Sequence, residues 1–232
     1  MSAINYHLAD NMEFMAKVPD NYYDLCIADP EQGKGEHGGT KRSEWVKQKN
    51  GEKLFVNGNK YEDFGWDNEP PPEEYFSEIF RISRYQIIWG SQYLKHNYGP
   101  GRIIWDKCNG KSDQYDCEIA YQNINDRTEL FRYMWNGMLQ GTSINRGHVS
   151  QGNYKLKEKR FHPTQKPSAL YAWTLMRFNI SKEWKIFDPN LGSGSIGVAF
   201  QRMGYNLDAC EKIPQYLDNA KKWLELTKTP LF

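Results

Sequence analysis

Short apolar runs alternate with amphipathic stretches along most of this chain. Runs rich in aliphatic and aromatic side chains, bounded by Gly, Pro, Asn or Asp, predict buried strands. Apolar residues that recur every three or four positions predict helices. The predicted strands span residues 6–9, 24–28, 86–90, 101–107, 118–122, 130–135, 185–187 and 206–210. The predicted helices span residues 11–18, 73–81, 91–96, 168–178, 195–203 and 214–226.

This alternation predicts an α/β fold with a doubly wound, mostly parallel sheet. The length of 232 residues suits one α/β domain with a full core, so residues 1–232 are expected to form a single domain. Residues 33–60 are rich in Gly, Lys and Asn without periodicity, which predicts a long mobile loop. Residues 137–160 are polar and irregular, and the strands at 118–122 and 130–135 are expected at the far edge of the sheet.

The composition argues against several classes of protein. Aromatic residues make up 15% of the chain, which argues against disorder. No apolar run approaches the roughly 18 residues that a membrane helix needs, and the N-terminus shows no secretory signal. The four cysteines, at positions 26, 108, 117 and 210, form no C-x-x-C pair and have strand-like neighbours. We therefore expect buried, reduced thiols and a cytoplasmic location.

Charge is unevenly distributed, although the net charge is only +1. Residues 33–60 contain seven Lys or Arg and three Glu, and residues 155–166 contain five Lys or Arg and one Glu, so each stretch carries a local charge of +4. Residues 61–80 contain seven acidic residues and no basic one. The two basic stretches could follow a phosphate backbone, with ordinary solvated loops as the alternative.

A ligand-binding turn is predicted between residues 186 and 195. Asp188 ends a strand, and Gly192 and Gly194 would let the backbone approach a ligand at the start of a helix. Glu211 ends the next strand, where a carboxylate can accept hydrogen bonds from both ribose hydroxyls. By itself a G-x-G turn is weak support and is often plain turn chemistry.

Two segments of the last third carry a family resemblance. Arg160-Phe-His-Pro-Thr-Gln-Lys-Pro167 and Ile186-Phe-Asp-Pro-Asn-Leu-Gly-Ser-Gly-Ser195 resemble the region before motif I, and motif I itself, of amino-group DNA methyltransferases. Ala28-Asp-Pro-Glu-Gln-Gly33 stands where that family carries its catalytic Asp-Pro-Pro-Tyr. Because the catalytic segment comes first, the order resembles the β group, a circular permutation of the commoner Rossmann-like arrangement.

The resemblance implies S-adenosylmethionine as the cofactor and assigns residues to it. Thr164 and Lys166 are expected at the carboxylate end of the cofactor, Glu211 at its ribose and Asp10 near its adenine. His162 lies in the same segment and has no second ligand at metal-binding spacing, so no metal site is expected. The implied cofactor-binding residues are Asp10, His162, Thr164, Gln165, Lys166, Asp188, Pro189, Leu191, Gly192, Gly194, Ser195 and Glu211.

The catalytic segment matches the family only in its first half. Asp29 and the Pro30 carbonyl would accept hydrogen bonds from the exocyclic amino group of a flipped base. Glu31 and Gln32 replace the second Pro and the Tyr, so the turn loses rigidity and the base loses a stacking ring. Three alternatives follow: an inactive protein, weak activity through Asp29 and Pro30, or stacking by Tyr61, Trp66 or another aromatic residue of the loop.

The function implied by the resemblance is methyl transfer to the amino group of adenine in DNA, impaired by Glu31 and Gln32. Adenine is favoured over cytosine because cytosine-N4 enzymes usually carry Ser at the position of Asp29. The alternatives are an inactive cofactor- or DNA-binding module and a methyltransferase for RNA or protein. Such enzymes belong to bacterial or phage restriction-modification, act on double-stranded DNA, and in the β group often form homodimers.

Residues 33–60 and a target-recognition insertion at about 123–160 are expected to contact DNA. The candidate DNA-binding residues are Lys34, Lys41, Arg42, Arg127, Arg132, Arg146 and Lys155.

Overall fold

The structure is a computed structural model, and it describes residues 3–35, 44–47, 51–56, 65, 67–108, 115–136, 139–141, 158 and 164–227. The strands are β1 (Ile4–Leu8), β2 (Tyr23–Ala28), β3 (Glu44–Lys47), β4 (Lys53–Val56), β5 (Ser83–Trp89), β6 (Arg102–Asp106), β7 (Cys117–Gln122), β8 (Thr128–Arg132), β9 (Met134–Asn136), β10 (Leu139–Gly141), β11 (Ile186–Asp188) and β12 (Leu207–Glu211). The helices are α1 (Asn11–Met15), α2 (Glu73–Ile82), α3 (Ser168–Arg177), α4 (Ser195–Met203) and α5 (Pro214–Thr227).

Eight of these strands form one mostly parallel sheet in the order β1-β12-β11-β2-β5-β7-β6-β8. The first five strands in this order, β1, β12, β11, β2 and β5, are all parallel to their neighbours among these five. Strand β6 pairs in parallel with β8. Strand β7 runs antiparallel to both β5 and β6. The expected doubly wound, Rossmann-like α/β fold is thereby confirmed.

Helices cover both faces of the sheet because successive side chains of a strand point to opposite faces. Leu25 and Ile27 of β2 contribute to one core cluster, together with residues of α3, α4 and α5. Cys26 and Ala28 contribute to the other, together with residues of α2. Near-continuous burial of β2 follows from this two-sided covering and explains its uninterrupted apolar sequence.

Several expectations from the sequence are wrong in detail. The stretch 33–60 contains the two-stranded antiparallel hairpin β3–β4, so it is not loop throughout. Residues 91–96 form turns instead of a helix. Gly90 has a φ of 73°, and the Tyr93 N–H donates a hydrogen bond to the Gly90 carbonyl. The predicted strand at 130–135 is divided between β8 and β9.

Strand β7 is also not at the edge of the sheet, where the sequence placed it. It is inserted between β5 and β6, and only β8 occupies the far edge. Strand pairing depends on contacts distant in sequence, so hydrophobic periodicity alone does not define it. This placement brings Glu118 of β7 into the interior of the site described below.

The cysteines are all free, but the expectation of four buried thiols holds only for Cys26 and Cys210. Cys108 and Cys117 are partly exposed. None of the helices that the structure describes is long and apolar enough to cross a membrane.

Candidate active site

Acidic side chains gather where the parallel strands end. Asp188 and Glu211 are the last residues of β11 and β12, and Asp29 directly follows β2. Carboxyl ends of parallel strands meet at one edge of a sheet, which is where open α/β sheets bind ligands. Residues distant in sequence therefore line one crevice.

The carboxylates of Asp188 and Glu211 hold the glycine turn between β11 and α4. The Asp188 side chain accepts a hydrogen bond from the Asn190 N–H at 2.8 Å. One oxygen of Glu211 accepts from the Gly192 N–H at 2.8 Å, and the other from the Ile213 N–H at 2.8 Å. Glu211 thus connects two loops, and its oxygens keep further lone pairs for a ligand hydroxyl.

Burial changes the ionisation of these acids. Asp188 is only 4% exposed. Burial raises its pKa to about 8, although the hydrogen bond from Asn190 favours the carboxylate. Burial likewise raises the pKa of Glu211, against the hydrogen bonds from Ile213 and Gly192. Asp188 and Glu211 are therefore largely shielded from solvent, and their oxygens concentrate hydrogen-bond acceptors in the crevice.

Gly194 marks the start of α4 and has a φ of 78°. A Cβ atom at this position would lie 2.6 Å from the Ala220 Cβ of α5. At Gly192, with a φ of 53°, the nearest heavy atom to such a Cβ would be the Asn190 carbonyl oxygen at 3.8 Å. Gly194 thus allows two helices to pack closely, whereas Gly192 leaves open space beside the turn.

The segment of residues 29–32, which the sequence predicts to be catalytic, is anchored from both sides. Glu31 faces the Asn190 amide at 3.4 Å and the Lys212 ammonium at 3.6 Å. Burial raises the pKa of Glu31, against the charge of Lys212. The Gln32 side chain lies against the backbone of Gly90, where an added Cβ would come within 2.5 Å of its amide nitrogen.

Asp67 holds the backbone that follows. Its carboxylate accepts hydrogen bonds from the N–H groups of Gln32, Gly33 and Lys34, at 2.7, 2.9 and 3.2 Å. Sequence reasoning counted this buried residue only as part of an acidic stretch, and no local motif singles it out. Three backbone N–H groups converge on one carboxylate, so Asp67 fixes the backbone that follows Gln32.

Lys166 lies beneath Asp29. Its ammonium is 2.5 Å from Asp29 Oδ1 and 3.2 Å from Glu118 Oε2, and Lys107 lies 2.5 Å from Glu118 Oε1. The Lys166 side chain is 3% exposed and that of Asp29 is 25% exposed, so a substrate can reach Asp29 alone of this pair. Sequence reasoning missed both Glu118 and Lys107.

The remaining predicted cofactor residues lie near the same edge or frame it. Asp10 caps α1 by accepting from the N–H groups of Met12 and Glu13. The Pro189 carbonyl accepts from the Asn11 side chain at 3.3 Å. The Gln165 carbonyl accepts from the Trp135 indole at 2.8 Å. Thr164 is partly exposed, and Leu191 and Ser195 are buried. His162 lies outside the described residues.

Three of the seven candidate DNA-binding residues lie in the part of the chain that the structure describes. Arg127 is exposed immediately before β8. Arg132 is 61% exposed and pairs with Asp106 at 3.1 Å. The Lys34 ammonium lies 3.2 Å from the ring centre of Tyr93 and 4.6 Å from that of Tyr115. Lys41, Arg42, Arg146 and Lys155 lie outside the described residues, as do Tyr61 and Trp66.

Comparisons with known proteins show which family this chain belongs to. A family model for N6/N4 methyltransferases, described as DNA methylase, matches residues 46–222. The type II methyltransferase M.HinfI of Haemophilus influenzae is 23% identical, over 94% of this chain and 67% of its own. The type II methyltransferase M2.DpnII of Streptococcus pneumoniae is 22% identical, over 94% of this chain and 88% of its own.

Solved structures share the fold. M1.HpyAVI, solved as a complex with S-adenosylmethionine, superposes with a TM-score of 0.51 at 18% identity, covering 94% of this chain and 98% of that one. The cytosine-N4-specific PvuII DNA methyltransferase superposes with a TM-score of 0.53 at 11% identity, covering 98% and 92%. The family match spans most of the chain, and we conclude that this protein belongs to the N6/N4 DNA methylase family.

Proposed function

We propose that this protein transfers a methyl group from S-adenosylmethionine to the exocyclic amino group of adenine in double-stranded DNA. The observation that carries the proposal is the position of Asp29. Its carboxylate follows β2 at the edge where the glycine turn and Glu211 lie, and it is 25% exposed above a buried lysine. An accessible acceptor next to a cofactor-type turn is what methylation of an amino group requires.

The turn suits the proposed cofactor. The space beside Gly192 lets a ligand approach the backbone, and Glu211 offers lone pairs to ribose hydroxyls. The positive charge of a sulfonium group would favour the ionised forms of the acids that burial keeps protonated. When bound, S-adenosylmethionine would supply an electrophilic methyl group, with Asp188, Pro189, Leu191, Gly194 and Ser195 around it. M1.HpyAVI, which shares the fold, was solved with the same cofactor.

Asp29 and Pro30 would orient the target. An exocyclic amino nitrogen is a weak nucleophile because its lone pair is delocalised into the ring. Acceptors at its two hydrogens favour a tetrahedral nitrogen, and fixed orientation supplies much of the remaining acceleration. Among the described residues, Lys166 is the donor to Asp29, and it bonds Oδ1, so that Oδ2 can accept from the amino group.

We further propose that methyl transfer is slow. Gln32 carries no ring, and its side chain packs against Gly90, so it offers the flipped base no stacking surface. Stacking on an aromatic side chain contributes roughly 1–3 kcal/mol per base. The runner-up is a binding module without catalysis, which the same Gln32 supports.

The proposal extends to the whole chain. Residues 1–232 form one cytoplasmic methyltransferase domain in which residues 123–160, with β8 to β10, read the DNA sequence. The basic stretches follow the phosphate backbone, and a homodimer is the expected assembly because it is common in the β group.

The double change Glu31→Pro and Gln32→Tyr tests this account. It restores a rigid turn and a stacking ring while Asp29 and Pro30 remain as acceptors. We expect the methylation rate of adenine-containing DNA, measured with labelled cofactor, to rise about five- to 150-fold, the equivalent of the stacking free energy. Calorimetric titration of S-adenosylmethionine should show binding by both proteins.

Asp29→Ala in the restored background is the control, and it should abolish the gain. Equal rates for the parent and the double variant, both well above background, would refute the role given to Gln32. Cofactor binding without transfer in either protein would favour the binding module. Transfer to RNA or protein in place of DNA would overturn the assigned substrate.

A further inference from the structure

Four charged side chains alternate in sign behind the catalytic segment. They run Lys107, Glu118, Lys166 and Asp29, with nitrogen–oxygen distances of 2.5, 3.2 and 2.5 Å between neighbours. Exposure of the four side chains is 12%, 22%, 3% and 25%. In the proposed function Asp29 contacts the target base, and the roles of Lys107, Glu118 and Lys166 require a separate explanation.

The fold builds this row through strand β7. Because β7 runs antiparallel between β5 and β6, Glu118 lies opposite Trp105 of β6. The N–H of Lys107 bonds to the Asp116 carbonyl at 2.9 Å, which continues the ladder and brings the two side chains together. Trp89 of β5 forms another wall, with its ring centre 5.6 Å from the Lys166 ammonium.

The row is electrically balanced, with two cations and two carboxylates. Burial acts to raise the pKa of Glu118, but the charges of Lys166 and Lys107 outweigh it and hold this pKa at about 2. Burial acts to lower the pKa of Lys166, but Asp29 and Glu118 outweigh it and raise this pKa. Lys166 is thus a charged group that two carboxylates hold at a buried position.

Building on the proposed function, we propose that Glu118 is a positioning residue for methyl transfer. It shares the Lys166 ammonium with Asp29, so that Lys166 binds Oδ1 only and Oδ2 stays directed at the amino group of the target base. Glu118 pairs with the Lys166 ammonium at 3.2 Å and acts on Asp29 through this lysine. Without Glu118, the three donors of the ammonium would have one carboxylate left and would engage both oxygens of Asp29.

The proposal predicts different effects for three variants. Glu118→Gln should lower the single-turnover methylation rate about tenfold with the affinity for S-adenosylmethionine unchanged. Lys166→Met leaves Asp29 beside a second carboxylate. It should lower the rate and move the acid limb of the pH–rate profile upward by about one unit or more. Adding Glu118→Gln to Lys166→Met should raise the rate at least about threefold and move that limb back.

Carbon-13 NMR of the Asp29 carboxyl provides a second readout that does not depend on turnover. Its titration should shift upward in Lys166→Met and return partly in the double variant. Glu78→Gln is the matched control, because Glu78 is a carboxylate on α2 that is 23% exposed, close to the 22% of Glu118, and it pairs with Arg81 at 2.7 Å. This control should leave both the rate and the Asp29 titration unchanged.

Two results would overturn the assignment. One is a Glu118→Gln protein with the parental rate and pH profile. The other is a Lys166→Met protein that loses cofactor affinity while the Asp29 titration stays unchanged, since Lys166 would then serve the cofactor. A parent chain that transfers no methyl group would refute the proposed function separately, and the NMR titration would still decide whether Lys166 and Glu118 control Asp29.

Discussion

Asp188 illustrates how one buried group links the site to stability. Its carboxyl group lies at the end of β11 with 4% exposure, and burial raises its pKa to about 8. In the unfolded chain an aspartate titrates near 3.9. Between these two values the folded protein holds a proton at Asp188 that the unfolded chain has released.

We therefore expect Asp188 to destabilise the cofactor-free protein as the pH rises. A raised pKa contributes stability below about pH 4, and this contribution is lost as the pH rises through about 8. Each pH unit in this window should remove up to about 1.4 kcal/mol from the free energy of unfolding. Urea denaturation at pH 5 and pH 8 measures the loss.

Asp188→Asn is the comparison, because the amide does not titrate. The stability of this variant relative to the parent should therefore increase from pH 5 to pH 8. The other acids of the crevice whose pKa is raised are present in both proteins, so the comparison isolates Asp188. Parallel stability curves for the two proteins would contradict the raised pKa.

The glycine turn, α4 and α5 form a unit at the scale of elements. Helix α4 begins at Gly194, whose missing Cβ lets the turn approach Ala220 of α5. The turn position is therefore determined by helix packing as well as by the hydrogen bonds to Glu211. Contacts within the protein hold this geometry, which lowers the ordering cost of ligand binding.

Gly194→Ala should destabilise the protein more than Gly192→Ala. Both residues have positive φ, and an alanine in that region costs about 1–2 kcal/mol. At Gly194 the added Cβ would also meet Ala220 at 2.6 Å, and such overpacking costs a further 1–3 kcal/mol or so. Urea denaturation of both variants gives the comparison, and equal losses would show that helix packing does not constrain the turn.

Across the whole molecule, positive charge is concentrated in two stretches of the chain. The net charge of +1 exerts little long-range attraction on DNA, whereas residues 33–60 and 155–166 each carry +4. Binding to a polyanion should therefore depend on these stretches and on the salt concentration.

Reversing Lys41 and Arg42 to Glu should weaken binding to duplex DNA and reduce the salt dependence. Each lost phosphate contact lowers the slope of log affinity against log salt by about 0.9. Fluorescence anisotropy at several salt concentrations measures both quantities. The control reverses the charges of Lys182 and Lys185. These residues precede β11 and therefore lie at the amino ends of the parallel strands, opposite the candidate site. Equal effects of the two pairs would argue against a DNA surface at residues 33–60.

Local patterns in the sequence predict most of the elements and the acidic residues at the ends of two strands. Helix α4 has the predicted bounds, and α3 and α5 end within a residue of the prediction. Apolar periodicity and glycine preferences act over a few neighbouring residues, so they can be recognised in the sequence. Asp188 and Glu211 were predicted for the same reason, because each ends an apolar run, whereas Asp29 was predicted from the family resemblance of its segment.

Only the tertiary structure decided which elements meet. No local signal places β7 between β5 and β6, and that insertion brings Glu118 to Lys166. Asp67 reaches the N–H groups of residues 32–34 across more than thirty positions of the chain. Strand order and these side-chain pairings are set by the joint packing of distant segments, and the pattern of a single segment does not contain them.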